Sequence, residues 1–333
     1  MHTWGNLGRI GALTVGIGIA VCGTASAEPS ANNLYTGQPS VPHEIAAAGA
    51  GVLKAILAPV GGVLAVVPYK IPVLTDGVAY PFVTQGLDVS KSDFAGMPVL
   101  TFTPPKPSGK VVVAIHGGAY VGEATVFHWM TYTDIARQTD ATVIVPDYTL
   151  SPVGTAETEV PRMTDFLART VAEHGAENVS VVGDSAGGGL ALLATQDLVR
   201  RNAAVPGRLV LLAPWLDVSV SDQRAAAIDD PLLDVGNGAK DGKLWAGRLD
   251  TRDALVSPLY GSLDGLPPTA VYSTSRDLLT VDTLRLRDRV LAEGRSNFTF
   301  RLRNGLMHDH AIYAPLPDAQ ADRANLYHDL DVG

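Results

Sequence analysis

Cysteine is almost absent from this 333-residue chain: the single one, Cys22, lies close to the N-terminus, so no intrachain disulfide can form. Aromatic residues are scarce at 6%, and charged residues make up only 18%. Basic side chains are the minority, 25 Lys and Arg against 34 Asp and Glu, and no Lys/Arg block is present to neutralise phosphates, which argues against nucleic acid as a partner. The 34 glycines and 22 prolines follow no three-residue period, which excludes a collagen-like rod and points to many tight turns. What the chain has in abundance is apolar: 46% of residues are hydrophobic, enough for a large core and too many for a disordered chain. The expected ligand is a small or neutral molecule.

The apolar content begins early. Residues 1–27 carry one charged side chain, Arg9, followed by an uncharged apolar run over 10–21 and then Ala25-Ser26-Ala27. That run is short for a bilayer span, and small residues at the last and third-last positions suit a signal peptidase pocket. A bacterial-type signal peptide over 1–27, cleaved after Ala27, is therefore expected, with a secreted or cell-envelope address. Cys22 leaves with it, and bulky Val21 in front of it argues against a lipoprotein site. Loss of Arg9 takes the formal charge from −9 to −10. A second apolar stretch, residues 45–67, is long enough to cross a bilayer, but Lys54 sits near its middle and Gly49, Gly51, Pro59, Gly61 and Gly62 interrupt it. These features favour a helix on the protein's own surface or lining a hydrophobic pocket, and leave peripheral contact with a membrane or lipid as an alternative.

From about residue 86 onward, short β-branched runs alternate with helical stretches, the pattern of a mostly parallel sheet covered by helices. Strands are predicted at 99–103, 111–115, 142–145, 179–182, 208–212, 269–273 and 298–302. Several are apolar throughout, as strands buried on both faces must be. Helices are predicted at 130–138, 160–174, 186–201 and 281–293, with a last one after Pro315. Residues 28–85 and 216–256 break the alternation and are expected to act as an N-terminal cap segment and a cap insertion on one catalytic domain, 86–333. No internal repeat or flexible linker divides it.

Directly after the run 179–182 stands Gly183-Asp184-Ser185-Ala186-Gly187, continued by Gly188, Gly189 and a helical stretch. A GxSxG between a buried strand and a helix forces a sharp turn that exposes the serine hydroxyl at the helix N-terminus. A hydroxyl is a poor nucleophile until a base removes its proton, so a histidine and an acid must follow. Asp277 and His308 each lie just beyond a predicted strand, giving the order serine, acid, histidine. His310 competes with His308 as the base, and Asp282 stands in reserve for the acid. Asp184, adjacent to the serine, is expected to hydrogen-bond structurally. The third motif, His116-Gly117-Gly118-Ala119-Tyr120, also follows an apolar strand; the N–H groups of Gly117 and Gly118, with that of Ala186, are the candidates for an oxyanion hole. His116 is expected to brace this loop. The His308-Asp309-His310 pair lacks a third ligand nearby, so no metal site is expected.

Together, HGGAY, GDSAGGG, Asp277 and His308 resemble the hormone-sensitive lipase family of α/β-hydrolases. Similar features run from about Val99 to Tyr327, among them Ala213-Pro214-Trp215, Ser257-Pro258-Leu259, Leu266-Pro267-Pro268 and Met307. The resemblance implies an α/β-hydrolase fold with a helical cap built partly from the N-terminal segment. It also implies cofactor-free carboxylesterase activity, often on short or medium acyl chains. The chain departs from the family where Tyr148-Thr149-Leu150-Ser151-Pro152-Val153 replaces the usual Tyr-Arg-Leu-Ala-Pro-Glu, at Thr274 in place of Gly, and at Gly189 in place of Asn.

The expectation is a serine carboxylesterase acting on a small acyl ester through an acyl-enzyme. An interfacial lipase or cell-envelope lipid hydrolase, an amidase, and a non-catalytic binding protein on the same scaffold are the rival readings. Phe127, Trp129, Trp215 and Trp245 are candidates for the pocket wall, although ordinary core or cap packing is the favoured reading of any single one.

Overall fold

The computed structural model describes residues 34–57 and 70–333. The predicted signal segment with Cys22, and the apolar stretch from residue 58 to 67, lie outside the described residues. Eight strands form one sheet: β1 (Asp88–Phe94), β2 (Met97–Thr103), β3 (Val111–Ile115), β4 (Thr142–Pro146), β5 (Val179–Asp184), β6 (Arg208–Leu212), β7 (Thr269–Arg276) and β8 (Phe298–Met307). Their spatial order is β1-β2-β4-β3-β5-β6-β7-β8. The β1/β2 and β2/β4 pairs are antiparallel and the remaining pairs parallel. The helices are α1 (Val41–Leu57), the single turn α2 (Pro81–Thr84), α3 (Val126–Thr139), α4 (Ala156–His174), α5 (Ser185–Arg200), α6 (Val235–Ala246), α7 (Thr280–Ala292) and α8 (Pro317–Asp329).

The central strands show why all-apolar runs fold this way. All five residues of β3 are buried; Val111, Val113 and Ile115 join the core on one face, and Val112 and Ala114 the core on the other. The first face packs against α4, α5 and α7 through residues such as Met163, Leu190 and Leu286, the second against α3 and α8 through Trp129, Ile135 and Leu326. Each fully buried Leu, Ile or Val contributes about 1.5–3 kcal/mol relative to exposure, so both faces must be covered at once. All seven predicted strands are present. β1 is the addition: its sequence, Asp-Val-Ser-Lys-Ser-Asp-Phe, is exposed over six residues, and it joins the sheet edge by a two-residue turn in which Ala95 and Gly96 both have positive φ (51° and 79°).

Residues 34–57 and 216–256 flank the ends of the strands that carry the motifs. α1 is amphipathic in an unusual sense: His43 and Ala47 are buried, whereas Val41, Ile45, Val52 and Ile56 fall on the opposite side and are exposed. Its buried side is pinned twice. His43 Nε2 accepts the N–H of Met307 at 2.9 Å, and Lys54 Nζ donates to the carbonyls of Asp230, at 2.7 Å, and of Leu233. Lys54, the charge that interrupts the apolar stretch in the sequence, thus ties α1 to the 216–256 segment. Among the described residues no helix is long and apolar enough to cross a membrane.

Candidate active site

Three strands deliver three side chains to one end of the sheet. Ser185 stands at the β5–α5 junction with φ 51°, a left-handed conformation that costs a non-glycine residue strain. The turn closes only because its glycines lack side chains: a Cβ on Gly183 would lie 2.4 Å from the Gly187 carbonyl oxygen, and one on Gly187 would lie 2.1 Å from that of Ile115. Asp277 follows the end of β7 and His308 the end of β8. His308 donates from Nδ1 to Asp277 Oδ2 at 3.0 Å, and its Nε2 faces Ser185 Oγ at 3.0 Å. The second oxygen of Asp277 accepts the N–H of Leu279 at 2.8 Å, which fixes the carboxylate in its orientation. Burial alone lowers the pKa of His308, but the charges of Asp277 and Asp309 outweigh it and hold the imidazole well above the ordinary histidine value.

The alternatives left open by the sequence separate cleanly. His310 turns away to pair with Asp322, Nε2 to Oδ2 at 2.9 Å. Asp282 lies in the first turn of α7 and binds Arg285 at 2.7 Å. Asp184 performs the structural task expected of it. His128 Nδ1 accepts the N–H of Thr125 at 2.8 Å, so its Nε2–H is the donor to Asp184 Oδ2 at 2.9 Å. The same carboxylate oxygen accepts the N–H of Gly117 at 3.0 Å.

That last bond corrects the oxyanion assignment. Gly117 cannot offer its N–H to a substrate because Asp184 already holds it, whereas Gly118 and Ala119 line the cavity beside Ser185. The N–H groups of Gly118, Ala119 and Ala186 have no acceptor among the described residues. Gly118 and Ala119 therefore border the site from the loop, and Ala186, the first residue after the serine, from the helix N-terminus. Ala119, with φ 56°, went unnoticed in the sequence because only glycines advertise such a turn. His116 is fully buried, stacks on Tyr148 at 4.6 Å and contacts the Gly117 carbonyl at 2.7 Å, the bracing role expected of it.

The two main departures from the family pattern have local compensations. Thr149 stands where the family has Arg; its N–H donates to Glu159 Oε2 at 3.2 Å and its hydroxyl accepts from Arg162 at 3.0 Å, so α4 supplies the support. At Gly189 any Cβ would lie 2.6 Å from both the Trp215 carbonyl oxygen and the Tyr120 hydroxyl. Tyr120 in turn stacks on Trp245 at 3.8 Å.

An apolar cavity of about 500 Å³ opens over Ser185 and His308. Its walls come from α1 (Ala46, Ala50, Leu53), from the 216–256 segment (Leu232, Leu233) and from Phe127. Trp215 borders a small adjoining pocket, while Trp129 and Trp245 are core residues. Two acids that sequence reasoning missed also stand here. Asp230 accepts the N–H of Leu278 at 2.9 Å, anchoring the insertion beside Asp277. Asp309 places Oδ2 3.0 Å from His308 Nε2. No cluster of three or more His, Cys, Asp or Glu able to hold a metal occurs among the described residues.

A family profile described as alpha/beta hydrolase fold matches residues 112–312. The chain is 44% identical over 231 residues to a triacylglycerol lipase of Mycobacterium tuberculosis, an alignment covering 69% of this chain and 48% of that protein. It thus spans about half the length of that relative. An esterase of Acinetobacter venetianus is 29% identical over 237 residues, with 67% of this chain and 76% of the relative covered. Among solved structures, an esterase from the bacterial hormone-sensitive lipase family superposes with a TM-score of 0.72 at 24% identity, covering 88% of this chain and 98% of its own, and shares the fold.

Proposed function

Because this chain belongs to the α/β-hydrolase fold family, we propose that it is a serine carboxylesterase that cleaves short- to medium-chain acyl esters through an acyl-enzyme. The observation that carries the reading is the unbroken relay Ser185–His308–Asp277, with both hydrogen bonds at 3.0 Å. Ser185 Oγ attacks the ester carbonyl as His308 Nε2 takes its proton. Asp277 holds the imidazole in the tautomer whose Nε2 is free and stabilises the imidazolium. The oxyanion is received by the N–H groups of Gly118, Ala119 and Ala186, each such donor contributing about 3–4 kcal/mol to the transition state. His308 returns its proton to the leaving alcohol. Water then repeats the sequence on the acyl-enzyme, giving up its proton to His308 and releasing the acid as Ser185 is restored. On this reading α1 and the 216–256 segment cap the acyl pocket, and residues 1–27 direct export to the cell envelope or medium.

A second reading, a lipase working at a lipid surface, is favoured by one specific feature. Val41, Ile45, Val52, Ile56, Ile71 and Phe82 are exposed on the segment that also walls the cavity. Rates on acetyl, octanoyl and palmitoyl esters, on triacylglycerol emulsion and on a peptide amide separate these readings. The carboxylesterase reading expects soluble short and medium esters to be fastest and the amide slowest. A jump in rate only when the substrate forms an emulsion supports the lipase reading instead.

A further inference from the structure

The relay uses one side of the His308 imidazole for Asp277 and the other for Ser185, yet the second side has two occupants. Asp309 Oδ2 and Ser185 Oγ each lie 3.0 Å from His308 Nε2. Neighbouring side chains on an extended strand point apart, so this contact needs a special backbone. Asp309 supplies it with φ 55°, a left-handed turn directly after β8 that folds its carboxylate back onto the preceding ring. The carboxyl group is nearly out of solvent, borders the same apolar cavity as Ser185, and its other oxygen has no partner among the described residues. A buried carboxylate oxygen left unpaired carries a substantial desolvation cost and needs an explanation.

We propose that Asp309 is a second acidic partner of His308, competing with Ser185 for Nε2 and so setting the pH at which the imidazole becomes free to act as a base. The proposal rests on the serine-esterase reading above. Its proton balance is simple. One proton is shared across the Nε2···Oδ2 contact. While it resides on nitrogen, the ring is an imidazolium and cannot accept the Ser185 proton. While it resides on Oδ2 it is donated to the Nε2 lone pair, and only when it has left to solvent is that lone pair available to Ser185. The Ser185 proton then passes to Nε2 as the O–C bond forms, and from Nε2 to the leaving oxygen as the ester C–O bond breaks. Asp309 ends the cycle as it began it.

The surroundings make this competition consequential, because acids dominate them. Asp277 faces His308 from the end of β7, and Asp230 approaches from the 216–256 segment. Asp184 acts on Asp309 from the end of β5 and is itself held by His128 of α3, with His116 at the end of β3 nearby. Tyr132 of α3 and Tyr313, beyond β8, are the neutral titratable neighbours, and Glu123 stands on the cavity wall. Burial pushes the Asp309 carboxyl up, the His308 charge opposes that, and Asp184 and Asp277 push it up further. The group is thereby poised to share a proton with the imidazole rather than stand as a fixed charge.

The test compares wild type with Asp309→Asn and Asp309→Gly, two residues that tolerate a left-handed backbone. The fraction of chains with a reactive Ser185 is first counted by titration with diethyl p-nitrophenyl phosphate. kcat/KM for p-nitrophenyl butyrate is then measured from pH 5 to 9 per reactive serine. Both variants are expected to move the midpoint of the rising limb to lower pH by about one unit or more, so that the share of full activity retained at pH 5.5 grows about tenfold. Asp309→Glu, which keeps the acid, is expected to stay closer to wild type than either. Midpoints that superimpose on wild type in both the Asn and Gly variants overturn the proposal, since a merely structural Asp309 lowers the rate without moving the profile. If wild-type Ser185 takes no label at all, it is the esterase reading that fails.

Discussion

His43, in the first described helix, accepts the backbone N–H of Met307 at 2.9 Å, one residue before His308. The bond joins residues 264 positions apart and makes the N-terminal segment part of the site's scaffold. His43→Ala leaves that buried N–H unsatisfied and is expected to cost about 1–3 kcal/mol of stability. It should also lower kcat more than it changes KM, because it loosens the strand end that carries the base rather than the cavity wall. Urea denaturation and steady-state kinetics check both effects. His43→Gln, which retains an acceptor, should recover part of each; equal loss in the two variants removes the hydrogen bond as the cause.

Asp184 is the second support. It holds the Gly117 N–H at 3.0 Å and pairs with His128 at 2.9 Å in a fully buried setting. Asp184→Ala strands both donors and is expected to destabilise by about 2–5 kcal/mol, since each buried N–H left without an acceptor costs about 1–3 kcal/mol. It also frees the loop whose next two residues border Ser185, so residual kcat should fall even in the folded fraction. Thermal melting with activity measured per folded molecule tests this.

Gly189 offers a more local test. The residue common in the resembled family is Asn, but here its Cβ would meet the Trp215 carbonyl and the Tyr120 hydroxyl at 2.6 Å. Gly189→Asn is therefore expected to destabilise by about 1–3 kcal/mol through overpacking. A variant as stable as wild type in chemical denaturation shows that Tyr120 and its stack on Trp245 can yield.

Activity should rise with pH and be lost on acidification, because the base must have a free Nε2. Burial pulls the His308 pKa down, Asp277 and Asp309 pull it up by more, and the midpoint of kcat/KM is expected above the ordinary histidine value of about 6.5. A profile flat from pH 5 to 9 contradicts a histidine base.

The sequence makes the site's main parts legible because each has a local signature: glycines around a serine, acid and base just past apolar strands. Apolar runs such as Val111–Ile115 declare themselves through burial on both faces. What stays hidden depends on contacts distant in the chain or on unusual backbone. The choice between His308 and His310 rests on Asp322 capturing the latter. Gly117 is removed as an oxyanion donor by an acid 67 residues away. Asp309 reaches its neighbour's ring only through a left-handed turn, and β1 lacks the apolar alternation that marks a strand because six of its seven residues face solvent.

Ser185 is where every part of the account converges, and covalent labelling tests it most directly. After reaction with diethyl p-nitrophenyl phosphate, intact mass and peptide mapping should show one adduct per chain on the peptide containing Gly183–Gly189, with ester hydrolysis lost in proportion to labelling. Ser185→Ala should take no label and fall about 10⁴- to 10⁶-fold in kcat while melting like wild type. Undiminished hydrolysis by Ser185→Ala, or inactivation by an adduct on another residue, contradicts the account.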